Sequence, residues 1–392
     1  MKREIKGRCP MKTGERARLE AYFARTAWEF APSLVPSSLL VTRLAPERLP
    51  FVRVVGTVSR LRGVLPEPAS GSGAASGAGD RAAKREVERL FAVDELSRER
   101  FADPGTVLTY LETRAAGEPV VLLDAGGCFA PSLDVLCERF SGTVLGVVED
   151  SDSGHRRYAA REKLPCPVVS VARSPLREPE EFLLGQSVVS AAEALLRGWR
   201  ETPGARPALV LGFGRLGGSV ASALRARGAR VTVYDTDPER RAQALAQEYA
   251  VVADRAAALE TAALVVCASG VLALRGEDFR VLPDGAFVTS VTGPAEAPDL
   301  AGLPDDYSRY TATRHVTRYE ADDHYFYLHD AGAAVGVTRG AGVDPYPVLA
   351  QAETLAALRT LADGRPTRAL HEVPPADRRK IAALWLHYYS ER

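Results

Sequence analysis

The feature that most narrows the fold is a glycine run set between a strand and a helix. Leu209-Val210-Leu211 is an apolar strand, Gly212-Phe213-Gly214-Arg215-Leu216-Gly217 follows, and the residues up to Gly228 have helical spacing. A second strand, Val231-Thr232-Val233-Tyr234, then ends in Asp235. Gly212 permits a tight turn, Gly214 lets main chain approach a pyrophosphate, and Gly217 lets the helix pack close to the strand. Amides at a helix N-terminus favour phosphate. An acid about 20 residues downstream is placed to accept adenosine ribose hydroxyls. The pattern predicts a dinucleotide-binding βαβ unit, with Gly212, Gly214, Arg215, Leu216, Gly217 and Asp235 as its binding residues. Asp235 would repel a 2′-phosphate, and Arg240 and Arg241 fall a turn into the next helix, so NAD is expected rather than NADP. The later strand ends, Ala268-Ser269-Gly270 and Thr289-Ser290, should line the same crevice, because ligands gather at the carboxyl ends of parallel strands. Ser269, Gly270 and Ser290 therefore join the cofactor-binding set.

The pattern around this unit repeats. From Pro119, apolar runs (Pro119–Asp124, Thr143–Glu149, Pro167–Ala172) alternate with segments of helical spacing (Pro131–Phe140, His155–Lys163). Such alternation gives βαβ units and a parallel sheet. Glu178–Trp199 reads as one long helix, and the alternation resumes at Pro207. Thr317–Leu328 reads as a hairpin around Asp322-Asp323, and Pro345–Leu361 and Pro374–Tyr389 as amphipathic helices. The expected fold is α/β, with two doubly wound, Rossmann-like domains on parallel sheets. Residues 1–185 would form a substrate-binding domain, 186–345 an NAD-binding domain, and 346–392 helices that return to the first domain. Residues 68–80, rich in Gly, Ser and Ala, are expected to be a mobile loop.

Composition excludes several function classes. Fifty basic and fifty acidic residues cancel, which gives no global attraction to nucleic acid or an anionic membrane. No apolar run approaches the ~18 residues of a membrane span. The five cysteines (Cys9, Cys128, Cys137, Cys166, Cys267) are scattered, with no C-x-x-C pair or histidine cluster. Neither a disulfide framework nor a metal site is expected. Met1–Pro10 is charged and no apolar run follows it, so a reduced, cytoplasmic setting is expected.

Taken together, the Asp-x-Gly-Gly strand end at Asp124–Gly127, the run Glu149-Asp150-Ser151-Asp152-Ser153-Gly154, the long helix, the glycine loop and Asp237-Pro238 make a recognisable order. It resembles the S-adenosylhomocysteine hydrolase (adenosylhomocysteinase) family, from about Pro119 to Leu361, with weaker echoes in residues 35–66. The resemblance implies NAD that stays bound and oxidises a ribose 3′-hydroxyl, so that the neighbouring C4′ proton becomes acidic and a thiol is eliminated. Water then adds and the ketone is reduced again. It also implies a homodimer or higher homo-oligomer. The family's glycines fall on Gly212, Gly214 and Gly217, its ribose-binding acid on Asp235, and its three threonines, which reach the nicotinamide, on Ser151, Asp152 and Ser153.

The catalytic half departs from the family. The second acid of the family's Asp-Asp-Gly-Gly is Ala125 here, its catalytic lysine falls on Arg177, and the following Asp-Asn on Glu181-Phe182. Its Asn-x-Gly-His reads Ser290-Val291-Thr292-Gly293-Pro294, and its Gly-His-Pro hinge loop reads Gly342-Val343-Asp344-Pro345. Arginine keeps its proton near neutral pH and cannot serve as a base. Acids and bases nonetheless remain at the expected strand ends and hinge: Asp124, Asp150, Arg177, Glu181 and Asp344 are the catalytic candidates. Glu149 and Asp150 are adjacent and should point to opposite sides, with Asp150 facing the ligand or capping the next helix. Arg177 would clamp an anionic group of a substrate or pair with Glu180 or Glu181. The reading is an NAD-dependent enzyme of altered chemistry on a small, nucleoside-like molecule. The alternative is an NAD-binding regulatory protein.

Overall fold

The structure, a computed structural model, describes residues 13–68, 78–198, 206–291, 298–313, 315–329 and 345–390. In chain order, the elements of the first part are α1 (Thr13–Glu29), β1 (Ser37–Thr42), α2 (Leu49–Val58), β2 (Arg60–Pro66), α3 (Ala78–Glu88), α4 (Arg98–Ala102), α5 (Pro104–Ala115), β3 (Pro119–Asp124), α6 (Leu133–Arg139), β4 (Thr143–Glu149), α7 (Asp152–Ala159) and β5 (Val168–Ser170). There follow α8 (Glu178–Gly198), β6 (Pro207–Leu211), α9 (Arg215–Arg225), β7 (Arg230–Tyr234), α10 (Pro238–Ala246), β8 (Ala250–Val251), α11 (Arg255–Leu259), β9 (Leu264–Cys267), α12 (Gly276–Phe279), β10 (Ala286–Ser290), β11 (Ser308–Thr313), β12 (Val316–Glu320) and β13 (Tyr325–His329). The chain closes with α13 (Pro347–Asp363), β14 (Leu370–His371) and α14 (Pro375–Tyr389). Of the Gly/Ser-rich segment, 69–77 lie outside the described residues, and Ala78–Asp80, expected in the loop, open helix α3.

The chain divides into two compact units. The first runs to Arg177 and takes in the C-terminal helices; the second begins at Glu178, the first residue of α8, where the sequence reading has it begin at residue 186. The first unit is built on an all-parallel sheet in the order β14-β5-β4-β3-β1-β2. Its strands alternate between two cores, as a period of two requires on a sheet covered on both faces. Val121 and Leu123 join Val148 and Val169 beneath α1, α2, α13 and α14. Val120 and Leu122 join Leu39, Val147 and Val168 on the opposite face. Helix α13 is buried along most of its length, and its fully buried Glu353 accepts from Arg378 Nε at 2.8 Å.

The second unit has an eight-stranded sheet in the order β11-β12-β13-β10-β9-β6-β7-β8. Strands β13 to β8 pair in parallel, and β11 and β12 add an antiparallel edge. The hairpin expected at Thr317–Leu328 forms, with Thr317 opposite Leu328. Strand β11 was not foreseen; its residues are nearly all exposed and show no core-facing alternation. Again the strand residues divide by parity: Ala208 and Val210 face one core, Leu209 and Leu211 the other.

Candidate active site: two strand-end clusters

In each unit, β-strand order reverses beside the first strand, and there the carboxyl ends open a crevice. In the second unit this point lies between β6 and β9. Strand β6 pairs with β7 on one side and β9 on the other, with Leu211 level with both Tyr234 and Cys267. The chain leaves β6 through Gly212 at φ +98°, a left-handed conformation that favours glycine. A side chain on Gly212 would come within 2.7 Å of Ser269 N, and one on Gly217 would strike the carbonyl of Gly212. Gly214 N-caps α9 with no side-chain hydrogen bond. The first turn of that helix therefore has no anion from its own cap, which is what a pyrophosphate supplies.

Asp235 stands at the end of β7, 6% exposed. Its Oδ2 accepts from Phe213 N at 2.6 Å and its Oδ1 from Asp237 N at 2.9 Å. The carboxylate thus pins the loop to the second strand. Arg240 is not remote from this acid, as its place in the sequence implied. Its NH1 lies 3.8 Å from Asp235 Oδ2, and its Nε lies 3.7 Å from Asp237 Oδ2.

Other expected cofactor residues have internal partners. Arg215 opens α9 with its amide, while its side chain pairs with Glu181 on α8, Nε to Oε2 at 2.6 Å and NH2 to Oε1 at 3.1 Å. Glu181, expected in the catalytic group, is therefore part of the second unit and borders the glycine loop. Leu216 packs against the core of this unit. Ser269 donates to Val271 O at 2.7 Å, which sets the turn that carries Gly270, and Ser290 is buried at the end of β10.

The first unit's strand ends are built from side chains. Asp124, Glu149 and Ser170 end β3, β4 and β5 in register. Glu149 is fully buried. Its Oε1 accepts from Gly126 N at 3.2 Å, Ser151 N at 2.7 Å and Ser151 Oγ at 2.7 Å, and its Oε2 accepts from Gly127 N at 3.0 Å. Asp124 accepts from Cys128 N at 3.0 Å, Phe129 N at 3.1 Å and Tyr158 Oη at 2.6 Å. Burial, and then the Asp124 charge, push Glu149 up to about 8. Burial also raises Asp124, against the pull of its donors. Two like charges this deep oppose each other's ionisation.

Asp124, named as a catalytic candidate, anchors the turn after β3 through these contacts. Gly126 and Gly127, at φ +89° and +63°, bend the main chain around Glu149. Gly154 is fixed by the same carboxyl, because a side chain there would occupy the place of the Glu149 head group.

Asp150 points the other way, as the alternation of a strand end requires. Arg177 NH2 contacts both the Asp150 carboxylate and its main-chain carbonyl, and Arg177 Nε donates to Val171 O at 3.2 Å. Arg48 NH1 approaches Asp150 Oδ2 at 3.4 Å. The helix cap that Asp150 was a candidate for belongs to Ser151, whose Oγ accepts from Gly154 N at 2.9 Å. Arg177 pairs with Asp150. Ser151 is therefore a cap and a Glu149 partner, Ser153 is 3.3 Å from its hydroxyl, and Asp152 pairs with Arg156 and Arg173. Asp344 lies outside the described residues, as do Thr292, Gly293 and Pro294.

Residues that the sequence reading passed over also gather here. Glu67, just after β2, is raised by burial while Arg48, Arg43 and Arg98 pull it down and Asp124 pushes it up. Arg157 NH1 donates to Gly126 O at 2.7 Å. The carboxyl-end rule, applied to β1 and β2 as it was to later strands, leads to Arg43 and Glu67. Arg48 and Arg157 have no comparable sequence signal. Among the described residues no group of three or more His, Cys, Asp or Glu side chains is placed to hold a metal. No helix among them is long and apolar enough to cross a membrane.

Residues 189–335 match the family "S-adenosyl-L-homocysteine hydrolase, NAD binding domain". Adenosylhomocysteinase of Aeropyrum pernix is 24% identical over 294 residues, which span 72% of this chain and 70% of that protein. Among solved structures, a Polaromonas sp. JS6 66 NAD-binding protein assigned to the D-isomer-specific 2-hydroxyacid dehydrogenases aligns at TM-score 0.44 and 12% identity, over 84% of this chain and 97% of its own. The apo D-lactate dehydrogenase of Escherichia coli aligns at TM-score 0.32 and 16% identity, over 54% and 70%. The glycine loop fits NAD on its own geometry, and the sequence matches agree with it: residues 189–335 match the NAD-binding domain of S-adenosyl-L-homocysteine hydrolases, the chain is similar to adenosylhomocysteinase over most of its length, and NAD is its cofactor.

Proposed function

We propose that this chain is an NAD-dependent enzyme of altered chemistry that oxidises a hydroxyl of a small, polar, nucleoside-like substrate. The observation that carries the reading is Arg177. It stands where the family resemblance puts a catalytic lysine, and its guanidinium is folded onto Asp150. A guanidinium keeps its proton near neutral pH, so no proton can be taken up there. NAD, when bound, supplies the hydride acceptor. Gly212, Gly214, Gly217 and the first turn of α9 would hold its pyrophosphate, and Asp235 its adenosine ribose. Arg177 and Arg48 hold Asp150 as a fixed hydrogen-bond acceptor for a substrate hydroxyl. The reaction therefore parts from thioether hydrolysis at its proton-transfer steps. A homo-oligomer in the cytoplasm accompanies this reading, and light scattering on the purified chain checks the assembly.

The test is a screen of nucleosides and small hydroxy acids for reduction of NAD, read by absorbance, on the full chain and on Asp150→Ala. Turnover in the wild type, lost in a folded Asp150→Ala that still binds NAD, is expected. NAD binding without turnover of any such compound would overturn the reading. A second reading, an NAD-binding regulatory protein, is favoured by one observation: the candidate catalytic groups Asp150, Arg177 and Glu181 are engaged in ion pairs, Asp150 with Arg177 and Glu181 with Arg215. Under it, Asp150→Ala would leave the cellular phenotype intact.

A further inference from the structure

The acid at the end of β7 is the residue expected to select NAD against NADP, yet its surroundings weaken that selection. Asp235 is almost wholly buried, and each of its oxygens already takes a main-chain amide, from Phe213 and from Asp237. The side chain that stands over it is Arg240, in the first turn of α10 and about half exposed. Its NH1 is 3.8 Å from Asp235 Oδ2 and 3.3 Å from the position that a Cβ on Gly214 would take. The guanidinium therefore bridges the space between the second glycine of the loop and the strand-end acid. That is where the adenosine ribose of a dinucleotide lies in this fold.

Neither approach of Arg240 to an acid, at 3.8 Å and 3.7 Å, is short enough to be a hydrogen bond. The guanidinium offsets the charge of Asp235 without being locked to it. A planar fork of donors suits a phosphate better than it suits a ribose hydroxyl. We propose that Arg240 is the specificity-determining residue of the cofactor site and that it admits a 2′-phosphate, so that the chain binds NADP as well as NAD.

The test is calorimetric titration of the full chain, stripped of nucleotide, with NAD, NADP, 5′-ADP and 2′,5′-ADP. NADP should bind within about tenfold of NAD, a gap of ~1.4 kcal/mol. Arg240→Ala should weaken NADP and 2′,5′-ADP by about tenfold or more and NAD by less than about threefold, with Arg240→Lys between them. The loss for NADP should shrink at high salt. A wild type that binds NAD and excludes NADP would overturn the proposal. So would an Arg240→Ala that weakens both nucleotides equally, which is the result for a guanidinium stacked on the adenine. Circular dichroism confirms that each variant is folded. A wild type that binds neither nucleotide would overturn the cofactor assignment itself, which separates the two failures.

Discussion

The two strand-end clusters solve the same geometric problem with different materials. In the second unit the crevice is made of main chain: three glycines, a helix N-terminus and one acid that ties the loop to its neighbouring strand. In the first unit it is made of side chains: a buried carboxyl pair, two guanidiniums on Asp150, and a serine cap. The difference teaches where tolerance lies. Main-chain sites accept drift in most residues other than the glycines and the acid that ties the loop down. Side-chain sites change character with one substitution, and the position that the resemblance gives to a catalytic lysine holds an arginine here.

Gly217→Ala should have the largest effect and falls on the second unit alone. Its methyl meets the carbonyl of Gly212. The helix must move, at about 1–3 kcal/mol or more for the overpacking, and NAD affinity should fall beyond calorimetric detection. Gly154→Ala is the counterpart in the first unit, because its methyl meets the Glu149 carboxyl. It should cost a similar ~1–3 kcal/mol of stability and leave NAD affinity unchanged. Loss of NAD binding in Gly154→Ala would break the comparison.

A third test uses pH. Glu149 is raised from an ordinary glutamate value to about 8. The folded state then holds a proton that the unfolded chain releases, so the contribution of Glu149 is fullest at low pH and is lost as pH rises through 8. Melts of the first unit should show stability falling by up to about 1.4 kcal/mol per pH unit between pH ~5 and ~8. Glu149→Gln should flatten that slope even if its baseline is lower. A slope unchanged in Glu149→Gln would assign the titration elsewhere. The smallest effect is Ser151→Ala, which removes the cap of α7 and a donor to Glu149. It should cost ~1 kcal/mol in thermal melts.

This contrast also explains what could be read from the chain. The glycine loop, the parity of the strands, the hairpin and the long helix were all legible, because each rests on local spacing or on a backbone requirement. The likeness to adenosylhomocysteinases was legible for the same reason, since the order of short strand-end motifs around that loop carries it. The partners of Asp150 were not. Arg177 and Asp150 are joined across a strand and a turn, and Arg48 reaches them from before α2, with nothing in the local sequence to link the three. Arg240 was misplaced because its position was counted along the helix, whereas its long side chain folds back over the end of β7. Asp124 and Glu149 were legible as acids at strand ends, but their burial was not. Their burial comes from Gly126, Gly127 and Gly154, which close the main chain over them.

The most direct test of the account is mass spectrometry of the small molecules released when the purified full chain is heat-denatured, with calorimetry on the stripped protein. The account predicts a nicotinamide dinucleotide among the released molecules, or measurable heat when NAD is added, in the wild type and in Gly154→Ala but not in Gly217→Ala. No nucleotide released and no heat with either NAD or NADP would contradict it, because the glycine loop would then be a structural turn without a ligand.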